Sequence, residues 1–185
     1  MTPVDLAASR LVAFPRLSLA ALRTALLRDL GGNFAAYLQE AGYAGGAPVF
    51  EAFREWLAAQ GAPAPEMLDL DGFQARATAF FAEAGWGDLA ISSLDGVAAA
   101  IDSTNWAEAD PASAMPYPAC YYSMGLLSDF FGRTADAPLA VLEVECRSNG
   151  QERCRFLVGS AEVMGKVYER VAEGVPYVEA LKELA

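Results

Sequence analysis

The sequence contains no histidine, and its 24 acidic residues outnumber its 13 lysines and arginines. The formal net charge of −11 argues against a nucleic-acid partner, because affinity for a phosphate backbone requires clustered cations. It argues equally against docking on anionic membranes. Without histidine the chain lacks the side chain that most often performs acid–base catalysis and a frequent metal ligand. A metal site in this chain must use cysteine thiolates and carboxylates.

Several features that define particular protein classes are also missing. No apolar run approaches the length of about 18 residues that spans a membrane, and the N-terminus lacks the basic and apolar stretches of a signal peptide. There is no Walker loop and no Gly-x-Gly-x-x-Gly dinucleotide fingerprint. The three cysteines are an odd number, whereas a secreted disulfide framework has an even one. We therefore expect a cytoplasmic protein, and no constellation of polar residues indicates an enzyme.

The first half of the chain has helical periodicity. Apolar residues recur at helical spacing from Leu19 to Leu38, with Ser18 as the predicted N-cap. Gly31-Gly32 interrupts this pattern, which predicts either one bent helix or two helices in series. The glycines at positions 42, 45 and 46 are predicted to close this helical stretch. Two more helices are predicted over about 48–60 and 69–84, with Phe73, Phe80 and Phe81 facing the core.

The second half changes to strand alternation after residue 87. Asp95-Gly96 and Asn149-Gly150 are strong signals for two-residue hairpin turns. The predicted elements are strands near 89–93 and 97–101, a helix over 120–131, strands over 139–147 and 152–158, and helices over 160–173 and 176–184. The pattern predicts an α+β fold, with N-terminal helices followed by a small antiparallel sheet and helices packed on one face of it. We expect a single domain over 1–185, with a helical part over 1–79 and a core over 80–185.

The cysteines Cys120, Cys146 and Cys154 are the most informative residues. The second hairpin brings Cys146 and Cys154 together in space. Zinc takes four ligands in a tetrahedron, and three thiolates with one carboxylate, from Glu143 or Glu145, would complete that set. Two other interpretations stay open. The cysteines can be small apolar core residues, or Cys146 and Cys154 can form a disulfide, which a reducing cytosol disfavours.

Strand geometry sets a condition on a zinc site. In a regular strand, Glu143 and Glu145 both point away from the face that carries Cys146. With a tight two-residue turn, Cys154 would also point to the other side of the sheet. Zinc binding therefore requires an irregular backbone between Glu143 and Cys146 and a longer loop or a bulge in the hairpin.

Around these cysteines the chain resembles the 4-vinyl reductase domain family, also called hydrocarbon-binding proteins. That family includes a protein linked to bacteriochlorophyll synthesis and the aromatic-sensing domains of bacterial transcription activators for phenol and xylene breakdown. The resemblance covers about residues 80–184, and the preceding helices look like the upstream part of the same sensor module. It rests on Gly85-Trp-Gly87, Pro118-Ala-Cys120, Glu143-Val-Glu-Cys146, Cys154-Arg-Phe156 and the closing segment 159–181.

The resemblance implies a fold related to haem–nitric-oxide-binding domains and vesicle-tethering subunits. Those relatives commonly pair, so we expect a homodimer. In the phenol sensors three cysteines and one glutamate hold zinc, and the intervals between the corresponding residues here look like the sensors' own. The resemblance thus implies a structural zinc whose four positions are filled by Cys120, Glu143, Cys146 and Cys154.

The departures from the family pattern concern the ligand and the output. Phenol sensors hold the phenolic hydroxyl with a histidine and a tryptophan, whereas this chain has no histidine and the tryptophan position falls near Ala99. We therefore expect a small hydrophobic or aromatic ligand other than phenol. The ATPase and DNA-binding output parts are missing from the sequence, so a separate output protein would receive the signal. The candidate ligand-binding residues are Ile101, Trp106, Tyr121, Met124, Phe130 and Val141.

The leading hypothesis is a zinc-stabilised sensor domain for a small hydrophobic molecule, without an output domain of its own. Two alternatives stay open: an accessory protein or reductase in tetrapyrrole or bacteriochlorophyll synthesis, and a dimerising adaptor with no ligand. Tight binding of a chlorophyll precursor would favour the former. A pocket filled by side chains would favour the latter.

Overall fold

The N-terminal half is helical in a computed structural model that describes residues 4–5, 11–94 and 96–184. Helix α1 spans Arg16–Leu30, a 3-10 turn covers Gly31–Asn33, and α2 spans Phe34–Ala59. Gly31 ends α1 with a φ of +55°, so of the two alternatives left open by the sequence, the structure has two helices in series. The Ser18 cap was wrong, because α1 begins at Arg16 after Pro15 and Ser18 lies inside it. After a 3-10 turn at Pro65–Met67, α3 spans Leu70–Glu83 with Asp69 as its N-cap.

The three glycines at positions 42, 45 and 46 do not end a helix, which corrects the sequence-based prediction. Helix α2 runs through all three and through Pro48. A Cβ atom at Gly42 would lie 1.9 Å from the carbonyl oxygen of Tyr122, and one at Gly46 would lie 2.5 Å from the Cβ of Asp129. Both contacts belong to α4, which spans Tyr121–Ala135. The glycines therefore allow the close approach of α2 and α4 and do not act as breakers.

The second half builds a four-stranded antiparallel sheet. Its strands are β1 at Ala90–Leu94, β2 at Ala98–Ser103, β3 at Ala140–Glu145 and β4 at Cys154–Gly159, in the order β1-β2-β4-β3. The first predicted hairpin is confirmed by the pairing of β1 with β2, although Asp95 of its turn lies outside the described residues. The second hairpin has a longer loop than two residues, because a 3-10 turn at Arg147–Asn149 follows β3 and precedes Gly150.

The antiparallel sheet with helices packed on it confirms the predicted α+β class. Helices cover both faces of this sheet, so the expectation of one covered face was wrong. The inner face packs Ile101 and Phe156 against α2, α3 and α4. The outer face packs Ala100 and Leu157 against α5 at Ala161–Ala172 and α6 at Tyr177–Lys182. Ser160 caps α5 as predicted, accepting a hydrogen bond from the backbone N–H of Val163. Within the described ranges, the helices are too short or too polar to cross a membrane.

Candidate metal centre and neighbouring cleft

Cys120, Glu143, Cys146 and Cys154 converge into one buried cluster. Their ligand atoms, three sulfurs and a carboxylate oxygen, all lie within 4.8 Å of one another. The Sγ atom of Cys120 lies 3.6 Å from that of Cys146 and 4.0 Å from that of Cys154. All three cysteines are free and fully shielded from solvent. The four residues predicted as metal ligands therefore occupy a single site.

Each ligand comes from the end of a secondary-structure element or from an irregularity in one. Cys120 directly precedes α4, Cys146 follows β3, and Cys154 opens β4. The 3-10 turn between Cys146 and Cys154 is held in place because the backbone N–H of Ser148 donates to the Sγ of Cys146 at 3.4 Å. The positive end of the α4 dipole also lies at Cys120, where it favours a thiolate.

A β-bulge decides which glutamate faces the cluster. Glu143 pairs with Phe156 and Glu145 pairs with the next residue of β4, Arg155, so Val144 is the extra residue. The bulge turns Glu145 to the outer face, where its carboxylate accepts hydrogen bonds from Arg153 at 2.8 and 3.1 Å. It also brings Cys146 onto the inner face beside Glu143. The irregular backbone that strand parity required is therefore present.

The geometry of the cluster fits a tetrahedral metal ion. Two sulfurs bound to zinc at about 2.3 Å in a tetrahedron lie about 3.8 Å apart, and the observed separations of 3.6 and 4.0 Å bracket that value. A disulfide would require about 2.05 Å. One oxygen of Glu143 accepts a hydrogen bond from the Cys120 N–H at 2.8 Å, while its buried Oε1 has no hydrogen-bond partner among the described residues. A bound cation would satisfy that oxygen.

The electrostatics of the cluster also favour a cation. Burial raises the pKa of the Cys120 thiol well above its usual value, and the neighbouring sulfurs of Cys146 and Cys154 raise it further. Burial likewise raises the pKa of the Glu143 carboxyl. Hydrogen bonds from Cys120 and then Cys154 lower the pKa of the Cys146 thiol. Without a cation the cluster accommodates one anion and resists the others, whereas a dication favours the deprotonated form of every ligand.

Glu108, a buried residue that the sequence analysis missed, accepts hydrogen bonds from the first turn of α4. One carboxylate oxygen of Glu108 accepts from the Tyr122 N–H at 3.1 Å, and the other accepts from the Ser123 N–H and hydroxyl at 2.7 and 2.5 Å. The indole N–H of Trp106 donates to the same hydroxyl at 2.6 Å. Glu108 therefore caps α4 from a distant loop, and the side chain of Cys120, at the N-cap position, makes no capping hydrogen bond. No sequence spacing indicates this contact.

Glu108 predicts a specific pH dependence of stability. Burial raises its pKa from 4.5 to about 7, against the opposing effect of its hydrogen bonds to Ser123 and Tyr122. The folded state therefore holds this proton more tightly than the unfolded state, and the associated stability is lost as the pH rises from about 4.5 through about 7. The free energy of unfolding is expected to fall by at most about 3 kcal/mol over this pH range. The free energy of unfolding of the parent and of Glu108→Gln should be compared at pH 5 and pH 7.5.

Comparison with the variant isolates this glutamate, because titration of the cysteine cluster is common to both proteins. As the pH rises, the Glu108→Gln variant should gain stability relative to the parent. A difference between the two proteins that stays constant from pH 5 to pH 7.5 would show that Glu108 ionises with an ordinary pKa.

A cleft of about 360 Å³ lies on the inner face of the sheet. Its walls are apolar and come from β1, β2, β4 and the helices α3 and α4. Leu70, which is 66% exposed, lies at its mouth. The polar side chains in the described lining are Glu66, Asp69 and Thr134, and no lysine or arginine is among them. The apolar walls include Phe73, Ile91, Ala99, Ile101, Phe131 and Val158.

The six residues predicted to bind a ligand are distributed over different places. Ile101 lines the cleft, together with Ala99, the position at which the resemblance places the sensors' tryptophan. Met124 and Val141 line a separate groove of about 300 Å³ beside α2. The other three do not line either space: Trp106 and Phe130 are buried in the core, and Tyr121 packs edge-on against the ring of Phe34.

The sequence analysis missed two aromatic residues of the cleft, Phe73 and Phe131. Phe73 was correctly predicted to face inward from α3. Phe131 follows Phe130, and one residue along a helix turns the side chain by about 100°, which is enough to move it from the core interior to the cleft. The orientation of α4 relative to the sheet could not be read from its apolar pattern, because nearly every residue from 123 to 131 is buried, whichever side of the helix it lies on.

Comparisons with known proteins agree with this architecture. Residues 103–160 match the family model of the V4R domain. The crystal structure of the phenol-responsive sensory domain of the transcription activator PoxR with phenol has a TM-score of 0.63 and 14% identity, covering 82% of this chain and 77% of that chain. At that identity, the likeness establishes the fold. No curated protein sequence matches the chain.

A second similar structure is a vinyl-4-reductase family protein from Methanocaldococcus jannaschii. Its TM-score is 0.41 and its identity 21%, covering 60% of this chain and 66% of that chain. The family match spans β4 and β3 with the whole of α4, and it includes all four residues of the buried cluster. The match to the V4R family model confirms the resemblance read from the sequence, and residues 103–160 are similar to that domain.

Proposed function

We propose that the protein is a zinc-stabilised sensor domain that binds a small hydrophobic or aromatic molecule. The observation that carries the ligand part of this proposal is the apolar cleft on the inner sheet face. Its volume lies at the lower end of the range of about 300–1,000 Å³ that is typical of small-molecule sites. The fold of a phenol-responsive sensory domain supports a sensing role.

The zinc part of the proposal rests on the chemistry of the buried cluster. Three thiolates and one carboxylate, Cys120, Cys146, Cys154 and Glu143, form a closed set of four protein ligands, which is typical of structural zinc. When bound, zinc would join the start of α4 to the β3–β4 hairpin. Free thiols that serve as ligands also suit a reducing compartment, so we propose a cytoplasmic location.

The lining of the cleft favours an uncharged ligand that carries no polar group. The deep wall of the cleft consists of apolar side chains such as Ala99, Ile101 and Val158. The charged side chains of the described lining are both acidic, Glu66 and Asp69, so an anionic ligand would meet like charge and no cation. A hydrocarbon ring buries apolar surface there without leaving a polar group unsatisfied.

Toluene and benzoate test this proposal as a matched pair, because they share a ring and differ in charge. Toluene should bind the parent protein and raise its thermal unfolding midpoint, whereas benzoate should not. Ala99→Phe should abolish the toluene effect by filling the cleft. Binding is measured by calorimetry and by the shift in the unfolding midpoint.

Ser92→Phe is the matched control for Ala99→Phe. Ser92 lies in β1 opposite Ala100, whose side chain belongs to the outer face, so the new ring would point away from the cleft. Toluene binding should survive in this variant. Equal binding of toluene to the parent and to Ala99→Phe would exclude the cleft as the ligand site.

We further propose that the chain forms a single domain and pairs as a homodimer. The close packing of α2 on α4 supports a single domain, because it joins the N-terminal helices to the V4R-like core.

Large apolar side chains that are exposed near the N-terminus support pairing, since such surfaces commonly mark interaction sites. They are Val12, Phe14 and Leu17, exposed by 84%, 58% and 85%.

A further inference from the structure

The outer face of the β3–β4 hairpin carries a polar network that the proposed sensor function does not explain. The carboxylate of Glu145 accepts hydrogen bonds from Nε and one terminal nitrogen of Arg153, at 2.8 and 3.1 Å, and from the hydroxyl of Tyr177 at 2.5 Å. Arg155 pairs with Asp102 at 2.7 and 2.6 Å and donates to the Tyr177 hydroxyl at 3.0 Å. These side chains are partly buried, so their ion pairs are less screened than pairs on an open surface.

The network and the metal cluster share one stretch of backbone. Glu145 is the neighbour of Cys146, and Arg153 and Arg155 flank Cys154 on both sides. Successive residues of a strand point to opposite faces. The network therefore anchors on the outer face the same residues whose neighbours carry the sulfurs of the inner face.

The bulge at Val144 decides which side chains of β3 face the cluster, so the contacts that hold Glu145 on the outer face affect the cluster. Without the extra residue, regular alternation would return Glu145 to the inner face and move Cys146 to the outer face. A carboxylate would still face the cluster, but the Cys146 sulfur would be lost from it. The ion pair with Arg153 and the Tyr177 hydroxyl keep Glu145 on the outer side and so favour the bulged arrangement.

We propose that Glu145, Arg153 and Tyr177 are positioning residues of the metal centre. They fix the bulged register in which Glu143 and Cys146 face Cys120 and Cys154 together, and they do not contact the metal. The inference rests on the proposed zinc site. It also links metal binding to α6, because Tyr177 is the first residue of that helix.

Two variants test the proposal through metal affinity. Glu145→Gln removes the charge that holds Arg153, and Tyr177→Phe removes only the hydroxyl. Zinc affinity is measured by competition with a chromophoric chelator, and the geometry of the site by the absorption spectrum of the Co²⁺ form. Both variants should bind zinc about 10- to 100-fold more weakly than the parent, as for the loss of other supporting contacts around metal ligands, with altered Co²⁺ ligand-field bands.

Glu183→Gln is the matched control. Glu183 also accepts from two nitrogens of one arginine, Arg170, at 2.8 and 2.9 Å, but on an exposed surface and outside the β3–β4 hairpin. Its zinc affinity and Co²⁺ spectrum should match those of the parent. A general loss of stability would not alter the Co²⁺ bands of protein that remains folded, so the spectrum separates positioning from mere destabilisation.

The outcomes separate this inference from the zinc proposal itself. If the parent binds zinc and both variants show the parental affinity and spectrum, the positioning role is excluded and the zinc site stands. If the parent binds no zinc or Co²⁺, both proposals fail. If Glu145→Gln does not fold, the milder Tyr177→Phe decides the question.

Discussion

The Cys154→Ser variant is expected to unfold about 10 °C or more below the zinc-loaded parent protein. Cys154 is fully buried, and its sulfur lies 4.0 Å from that of Cys120. Loss of a structural metal belongs to the few mechanisms that cost more than about 4 kcal/mol, and each 1 kcal/mol shifts the midpoint by about 2–4 °C in a chain of this size. The serine hydroxyl fills nearly the same space but is a poor zinc ligand, so the expected loss reflects the metal.

Scanning calorimetry with and without a strong chelator measures this effect and supplies its control. In chelator the parent should lose most of its advantage, because it then lacks the same metal that the variant cannot hold. The difference between parent and variant should therefore shrink to a small fraction of its value with zinc. A parent midpoint that chelator leaves unchanged would exclude a structural metal.

The convergence of the four residues of the candidate metal centre could be predicted from the sequence to a large extent, because its constraints are local. Cys146 and Cys154 flank one hairpin, and strand parity alone required a bulge between Glu143 and Cys146, which is present at Val144. The choice of Glu143 over Glu145 came from the family resemblance. Parity could not make that choice, because the position of a bulge depends on contacts made across the sheet.

The contacts that support the site from distant parts of the chain were not predictable. Glu108 caps α4 from a loop, and Tyr177 reaches Glu145 from the last helix. Each contact joins residues of different elements, and no spacing in the sequence indicates which residues are joined. Their positions follow from how α4 and α6 pack on the sheet.

The proposed ligand cleft was predictable in chemical character but not in its residues. Apolar side chains near the hairpin of the candidate zinc site and its preceding helix were expected, and of these Ile101 lines the cleft. Trp106, however, donates its indole N–H to Ser123 inside the core. The difference between a residue that lines a cleft and one that fills the core depends on a small rotation of a helix, which hydrophobic periodicity does not resolve.

The glycines of α2 were recognised as unusual for a helix, but they were wrongly interpreted as its end. Glycine disfavours a helix by about 1 kcal/mol relative to alanine, so three glycines within five positions predicted a helix end. Packing between α2 and α4 offsets this cost, because glycine allows the two helix backbones to approach closely. Packing of this kind overrides local propensity, and only the partner helix reveals it.

The Gly125→Ala variant is expected to lose more than about 3 kcal/mol of unfolding free energy, at the upper end of the overpacking range. A Cβ atom at Gly125 would lie 2.0 Å from the carbonyl oxygen of Gln39 and 2.7 Å from the backbone nitrogen of Tyr43. Both atoms belong to the backbone of α2, so no side-chain rotation can relieve the clash. The two helices must separate along their crossing, and the core that they enclose must repack.

Gly165→Ala is the matched control, since it makes the same substitution within a helix. Nothing lies within 4 Å of a Cβ atom at Gly165 in α5, so this change should stabilise the protein by up to about 1 kcal/mol through helix propensity. Denaturant unfolding of both variants measures the contrast. Opposite signs are expected because Gly125 serves the helix crossing and Gly165 does not. A Gly125→Ala variant as stable as the parent would mean that α2 and α4 are held farther apart in solution, and that the glycines of this crossing have no packing role.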